Sequence, residues 1–192
     1  MRFVFRTHYE QDLRLFKDNG QKFWYGLLVI VLLLAPCLLP DYFISQLVFI
    51  WIYSVVGLGL MLLVGYTGQI SMGHAAFLAM GAYTEAYLQS KGWPFVLSLA
   101  SAAVVSGLTG VVVGLPALRV RGMYLAIATL AFGFIVEEAV TRADGITGGN
   151  SGMTLGSMEI FGLPIDNEQR FYYVSLAVLA LAILGVMNLM RS

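Results

Sequence analysis

Residues 43–64 read FISQLVFIWIYSVVGLGLMLLV, a stretch of 22 residues without a charged side chain. A helix needs roughly 20 apolar residues to cross the 30 Å or so of hydrocarbon in a bilayer. Because the bilayer core offers no water to the backbone, an α-helix is the natural way to satisfy every peptide group within the segment. The stretch therefore predicts a membrane-spanning helix.

Five more apolar runs, each bounded by charge, proline or glycine, predict spans at 23–39, 74–90, 94–115, 122–139 and 171–190. The chain of 192 residues is 59% hydrophobic and only 11% charged, whereas about a quarter of the residues in a soluble domain are charged. The predicted fold class is an all-α integral membrane protein with about six transmembrane helices. Residues 1–22 are predicted to be a cytoplasmic tail, and 23–192 the transmembrane domain.

The distribution of lysine and arginine predicts the orientation, because cytoplasmic loops carry an excess of these residues. With both termini in the cytoplasm, eight basic residues lie inside and three outside. The eight are Arg2, Arg6, Arg14, Lys17, Lys22, Arg119, Arg121 and Arg191, and the three are Lys91, Arg142 and Arg170.

The sequence TGQISMG at 67–73 interrupts the apolar pattern between the second and third spans. Two interpretations fit it: a broken or re-entrant segment near 65–74, or a tight cytoplasmic turn. Irregular backbone is tolerated at membrane depth only where protein or a water-filled cavity satisfies its polar groups. On the first interpretation, the segment lines a transport path.

A second long polar stretch, 141–170, contains ITGGNSG and FGLPID and is predicted to be an external loop. Long loops in compact proteins are often functional. The interpretation is that it meets an external partner or gates the outer mouth.

Ionisable groups inside spans are costly and are candidates for function by default. His74 and Glu85 are the two that stand out, although His74 also fits neutral packing and Glu85 also fits a side chain that reaches toward water. The candidate path residues, from the TGQISMG segment and the helix after it, are Thr67, Gln69, Ser71, His74 and Glu85.

Small residues recur every four positions at Ser106, Gly110 and Gly114, which we call the small-residue ladder. Such residues allow close approach of two helix backbones in lipid. The ladder therefore predicts a helix-packing face, against the alternative of coincidence.

Other classes of function lack their sequence signals. Cys37 is the single cysteine, which gives neither a disulfide nor a thiolate metal site within the chain. No lysine follows the glycine pattern of a nucleotide-binding loop, so the chain is not expected to hydrolyse nucleotide and no cofactor is expected. Because the net charge is zero and the charges lie at the ends of long apolar runs, nucleic acid is not an expected partner. An intramembrane enzyme is a rival because Gly149, Asn150 and Ser151 give a G-x-S pattern, but no base partner is evident. A passive channel would favour charged rings or carbonyl filters.

Four stretches in order resemble the permease subunits of branched-chain amino acid ABC importers, in particular the LivM-like half of the permease pair. They are GLGLMLLVGYTGQISMGHAAF at 57–77, GAYTEAYL at 81–88, GLPALRVRGMYLAIATLAFGFIV at 114–136 and ITGGNSGM at 146–153.

The resemblance implies a non-enzymatic permease subunit in the inner membrane of a bacterium or archaeon. It also implies a LivH-like permease partner, two cytoplasmic ATPase subunits that bind the ATP, and an external substrate-binding protein. The substrate implied is a branched-chain or related amino acid, and urea or a short amide is the alternative.

Family members continue beyond this point with a cytoplasmic loop that docks on the ATPase and with further spans. The expectation is that the chain is a truncated piece, or that the remaining half is supplied separately. A non-transporting membrane fragment is thus a further alternative.

Overall fold

A computed structural model describes residues 19–117, 119–120, 122–154, 159–160, 163–164 and 167–191. Its long helices are α1 (Asn19–Leu38), α2 (Asp41–Thr67), α3 (His74–Ser90), α4 (Phe95–Ala117), α5 (Met123–Arg142) and α7 (Glu168–Arg191), and the short α6 is Asp144–Thr147. A pair of two-residue strands, β1 (Glu159–Ile160) and β2 (Leu163–Pro164), lies between α6 and α7.

Each predicted span corresponds to one of the long helices. Within the described residues, α1, α2, α4, α5 and α7 are long and apolar enough to cross a membrane. The third predicted span has the predicted bounds, but α3 has 17 residues and therefore rises only about 25 Å. The chain is an all-α, multi-pass membrane protein, as predicted, and the antiparallel ladder of β1 with β2 does not change that class.

The described residues fall into two compact units that divide after Ile44. In the first unit, α1 begins four residues before the predicted span, so that residues 19–22 are helical. The rest of the predicted tail, 1–18, lies outside the described residues. The carbonyl of Pro40 accepts the N–H groups of Phe43 and Ile44 at 2.9 and 3.3 Å, which starts α2 directly after α1.

In the second unit, α3 packs along α4 and α5. The hydroxyl of Ser106 on α4 donates to the carbonyl of Phe77 on α3 at 3.0 Å. Toward the other end of α3, Ser98 contacts Glu85. Since the earlier part of one helix meets the later part of the other, α3 and α4 are antiparallel.

The helices α2 and α7 of the second unit run parallel. At their N-terminal ends, the hydroxyl of Ser45 donates to the Glu168 carboxylate at 2.6 Å. One turn or so further along, the rings of Trp51 and Tyr172 meet edge to face, with centroids 6.0 Å apart. At the C-terminal ends of the two helices, a cleft of about 420 Å³ lies between Tyr66 and Leu189.

The chain after α5 is not a structureless loop. Residues 144–152, here called the glycine-rich turn, contain α6 and a 3₁₀ turn at Gly149–Ser151. The glycine-rich turn is stabilised by the buried Thr147, whose hydroxyl contacts the Val140 carbonyl at 2.5 Å and the Ala143 carbonyl at 3.0 Å. Gly149 has a φ of +55°, a conformation that other residues rarely adopt, so this turn favours glycine. Of FGLPID, residues 161–162 and 165–166 lie outside the described residues.

Candidate functional site

The interruption between α2 and α3 is non-helical at residues 68–73, which we call the joint. The helix α2 ends because Gly68 has a φ of +64°, a left-handed conformation that terminates helices and favours glycine. The carbonyl of Leu63 closes the helix end by accepting the Thr67 hydroxyl at 2.5 Å and the Gln69 N–H at 3.3 Å. The joint is therefore a defined structure and not a frayed helix end.

At its other end, the joint is fastened to α5. The backbone N–H of Met72 donates to the hydroxyl oxygen of Thr129 at 3.0 Å. The next residue, Gly73, is buried against the same place: a Cβ there would stand 2.5 Å from the Thr129 carbonyl oxygen. Glycine is thus needed at 73 for close approach, whereas at 68 it is needed for backbone conformation.

The position of this contact along α5 bears on the two interpretations of the joint. Thr129 is six residues after Met123, the first residue of α5, which places it about 9 Å along the axis of that helix. The joint therefore meets α5 about two turns into that helix, and which of the two interpretations holds stays a prediction.

The joint brings four of the candidate path residues together. Thr67 is the last residue of α2, Gln69 and Ser71 lie within the joint, and His74 is the first residue of α3. The Nδ1 atom of His74 is buried without a hydrogen-bond partner among the described residues, and its ring meets Phe77 edge to face at 6.2 Å. Whether these residues line a path stays a prediction.

Glu85 lies away from the other four. It follows His74 by 11 residues, or about 16 Å along α3, and its side chain is half-buried against the start of α4. The Oγ of Ser98, which is 0% exposed, lies 3.5 Å from the Glu85 carboxylate. A carboxylate near the N-terminus of a helix is also favoured by the helix dipole. This arrangement suits a contact between α3 and α4.

Of the three residues in the small-residue ladder, one contacts α3 in the described structure and two do not. Ser106 packs against Gly81 of α3, where a Cβ would lie 3.8 Å from the Cβ of Ser106. At Gly110 and Gly114, a Cβ would meet no heavy atom of the described residues within 4 Å. Helix packing at those two glycines stays a prediction.

Thr129 was not among the residues singled out from the sequence. A threonine in an apolar helix commonly bonds to a carbonyl of its own helix, as Thr84 and Thr109 do here. The signal that was available is the glycine at 73, because glycine permits the close approach of a neighbouring backbone.

Comparison with known proteins assigns the family. Residues 42–192 match the family described as "Branched-chain amino acid transport system / permease component". The chain belongs to this family. The match begins at the start of α2 and includes the joint, the small-residue ladder and the glycine-rich turn. The resemblance predicted from four sequence stretches is therefore confirmed.

Two curated relatives carry the name "High-affinity branched-chain amino acid transport system permease protein LivM". The one from Salmonella typhimurium is 41% identical over 121 residues, which are 62% of this chain and 28% of that protein. The one from Escherichia coli is 35% identical over 162 residues, which are 73% of this chain and 38% of that protein. The chain thus aligns with well under half the length of either relative. No solved structure matches the chain.

Proposed function

We propose that this chain is part of the membrane-spanning permease subunit of an ATP-binding-cassette importer for branched-chain amino acids. The observation that carries the proposal is the family match over residues 42–192, which covers every helix from α2 to α7 except the first residue of α2. The long apolar helices support it, because large side chains such as Leu108 and Val112 are exposed and suit contact with lipid.

The proposed assembly has a second, LivH-like permease subunit, two cytoplasmic ATPase subunits that bind ATP, and an external substrate-binding protein. The proposed location is the plasma membrane of a bacterium or archaeon, with both termini in the cytoplasm. The excess of basic residues on one side supports this orientation. In this proposed orientation, the short α4–α5 connection, with Arg119, is also cytoplasmic.

The joint is the proposed path element. A zwitterionic amino acid carries both charges at neutral pH, and broken helices in transporters present helix ends and free backbone groups to such substrates. Hydrolysis on the ATPase subunits would bias the permease between inward- and outward-facing states.

Uptake in cells tests the proposal. The chain is co-expressed with the LivH-like subunit, the ATPases and the binding protein in a bacterium that lacks its own branched-chain importer. Uptake of radiolabelled leucine is measured with and without the chain, and a tag on the chain tests which subunits co-purify. We expect the LivH-like subunit to co-purify, and, when the remaining half of the permease subunit is supplied separately, we expect leucine uptake to require the chain.

Competition separates the substrate classes. Excess isoleucine or valine should suppress leucine uptake, and excess urea or acetamide should leave it unchanged. Uptake of urea without uptake of leucine would favour the alternative substrate class. Leucine uptake that is equal with and without the chain, together with no recovered partner, would contradict the proposal.

A further inference from the structure

The contact between the joint and α5 uses both ends of one hydroxyl group. The Thr129 hydroxyl accepts the N–H of Met72 at 3.0 Å and donates to the carbonyl of Ala126 at 3.0 Å. A hydroxyl has one hydrogen to donate and two lone pairs to accept with, so both bonds form at once. The residue is 8% exposed, so little of its surface is open to solvent.

The Met72 N–H has no helical acceptor of its own, because the joint is non-helical. An unsatisfied backbone group at membrane depth is costly, and irregular backbone persists there only where protein or trapped water satisfies it. Thr129 supplies that acceptor from a neighbouring helix. The carbonyl of the same residue abuts Gly73, so two consecutive residues of the joint meet one residue of α5.

The first turn of α3 is held on the same face of α5. The ring of Phe77 packs on Phe132 with centroids 5.5 Å apart. Phe132 is three residues after Thr129 and therefore on the same side of α5. The end of the joint at Gly73 is thus continuous with a packed interface.

The end of the joint at α2 differs. Gly68 is exposed, and a Cβ there would meet no heavy atom of the described residues within 4 Å. The bonds that end α2 stay within residues 63–69. The position of the joint is therefore set from the α5 side.

We propose that Thr129 is a positioning residue that fastens the joint to α5 through the Met72 N–H, so that the joint keeps its place relative to α5 and not relative to α2. The relevance of this contact to transport rests on the proposed function, because the joint holds two of the candidate path residues, Gln69 and Ser71, and adjoins Thr67 and His74. The contact itself is independent of substrate.

Thiol labelling tests the contact without transport. The chain's single cysteine is removed by Cys37→Ser, and Ser71→Cys places a reporter one residue before Met72. Membranes that contain the variant chain with the LivH-like subunit and the ATPases are treated with N-ethylmaleimide, and the labelling rate is measured. A second reporter, Leu97→Cys, lies on an exposed part of α4 and reports on general loosening.

Three variants are compared in each reporter background. Thr129→Val keeps the shape of the side chain and removes the hydroxyl, and Thr129→Ser keeps the hydroxyl. The matched control is Thr109→Val, because the Thr109 hydroxyl contacts only carbonyls of its own helix in the described residues, those of Val105 and Ser106.

We expect Thr129→Val to raise the labelling rate at residue 71 by at least about threefold, the factor that corresponds to the loss of one hydrogen bond between helices in a membrane. Thr129→Ser and Thr109→Val should each change the labelling rate at residue 71 by less than about threefold. The labelling rate at residue 97 should not change in any variant. A smaller change with Thr129→Val would overturn the proposal. So would an equal rise at both reporters, or a rise with Thr129→Ser as large as that with Thr129→Val.

If Thr129→Val fails to accumulate in membranes, Gly73→Ala replaces it and Gly133→Ala is its control. A Cβ at 73 meets the Thr129 carbonyl, and one at 133 meets no heavy atom of the described residues. Faster labelling with Gly73→Ala alone supports the contact, and equal labelling in the two variants rejects it. Failure of leucine uptake in the unsubstituted assembly would reject the proposed function and leave this result unaffected.

Discussion

The contact between α3 and α4 differs from the contact between α2 and α7 in the size of the side chains that form it. On α3 and α4, small residues bring backbones close, and the Ser106 hydroxyl reaches the carbonyl of Phe77. On α2 and α7, large rings meet near one end, and a cleft lies near the other. Close contact between helices in lipid depends on van der Waals packing and on hydrogen bonds between helices. Larger side chains should therefore destabilise the contact between α3 and α4, whereas the cleft between α2 and α7 should accommodate them.

The largest effect is expected at Ser106. The substitution Ser106→Leu removes the bond to Phe77 and pushes a larger side chain against Gly81. Because overpacking a close contact costs about 1–3 kcal/mol, the free energy of unfolding should fall by that amount. Denaturation in mixed detergent micelles measures it.

Gly110→Leu is the matched control on the same face of α4. Since no described residue lies within 4 Å of its Cβ position and leucine is a better helix former than glycine by up to about 1 kcal/mol, the free energy of unfolding should not fall. An equal loss in the two variants would mean that the close contact at Ser106 is not what joins α3 to α4.

An intermediate effect is expected where α2 meets α7. Trp51→Leu keeps an apolar side chain and removes the edge-to-face contact with Tyr172, which is 0% exposed. An aromatic pair contributes about 0.5–1.5 kcal/mol beyond the area it buries, so the free energy of unfolding should fall by roughly that amount. Tyr53→Leu is the control, since Tyr53 is exposed on the same helix and its replacement should be neutral.

The smallest effect is expected at the cleft. Leu189→Phe adds volume next to a space of about 420 Å³ and should alter the free energy of unfolding by less than about 0.5 kcal/mol. Leu179→Phe adds the same volume at a buried position of α7 and should be destabilising. A large loss at residue 189 would show that α2 and α7 close on each other in the membrane.

The apolar runs were sufficient to predict every long helix, because a membrane span is determined by length and composition more than by neighbours. The bounds of α3 at 74–90 and the interruption before it also followed from the sequence, since glycine and polar residues mark where a helix cannot continue. Which side of a helix meets which neighbour did not follow. Ser106 and Gly110 have the same signature in the sequence, yet only Ser106 meets α3 within the described residues.

The same limit applies to the candidate site. Polar residues near a helix break are visible in the sequence, and four of the candidate path residues do lie together. Thr129, which bonds the joint to α5, lies 57 residues after Met72 in the chain. Thr129 and Thr109 look alike in an apolar run, and only the tertiary contact distinguishes them. The partner of Glu85 was hidden in the same way, because Ser98 was one of several serines near a helix start.

The separation of Met72 from Thr129 also bears on the order of events during synthesis. Chains are made and inserted from the N-terminus, so α3 leaves the ribosome before the acceptor for the Met72 N–H exists. Among the long helices described, α3 is also the one that does not meet the length of a membrane span, because it has 17 residues. We expect α3 to reach its final depth after α5 has entered the membrane. A nascent chain stalled before Thr129 should therefore label faster at Ser71→Cys than one that extends through α5.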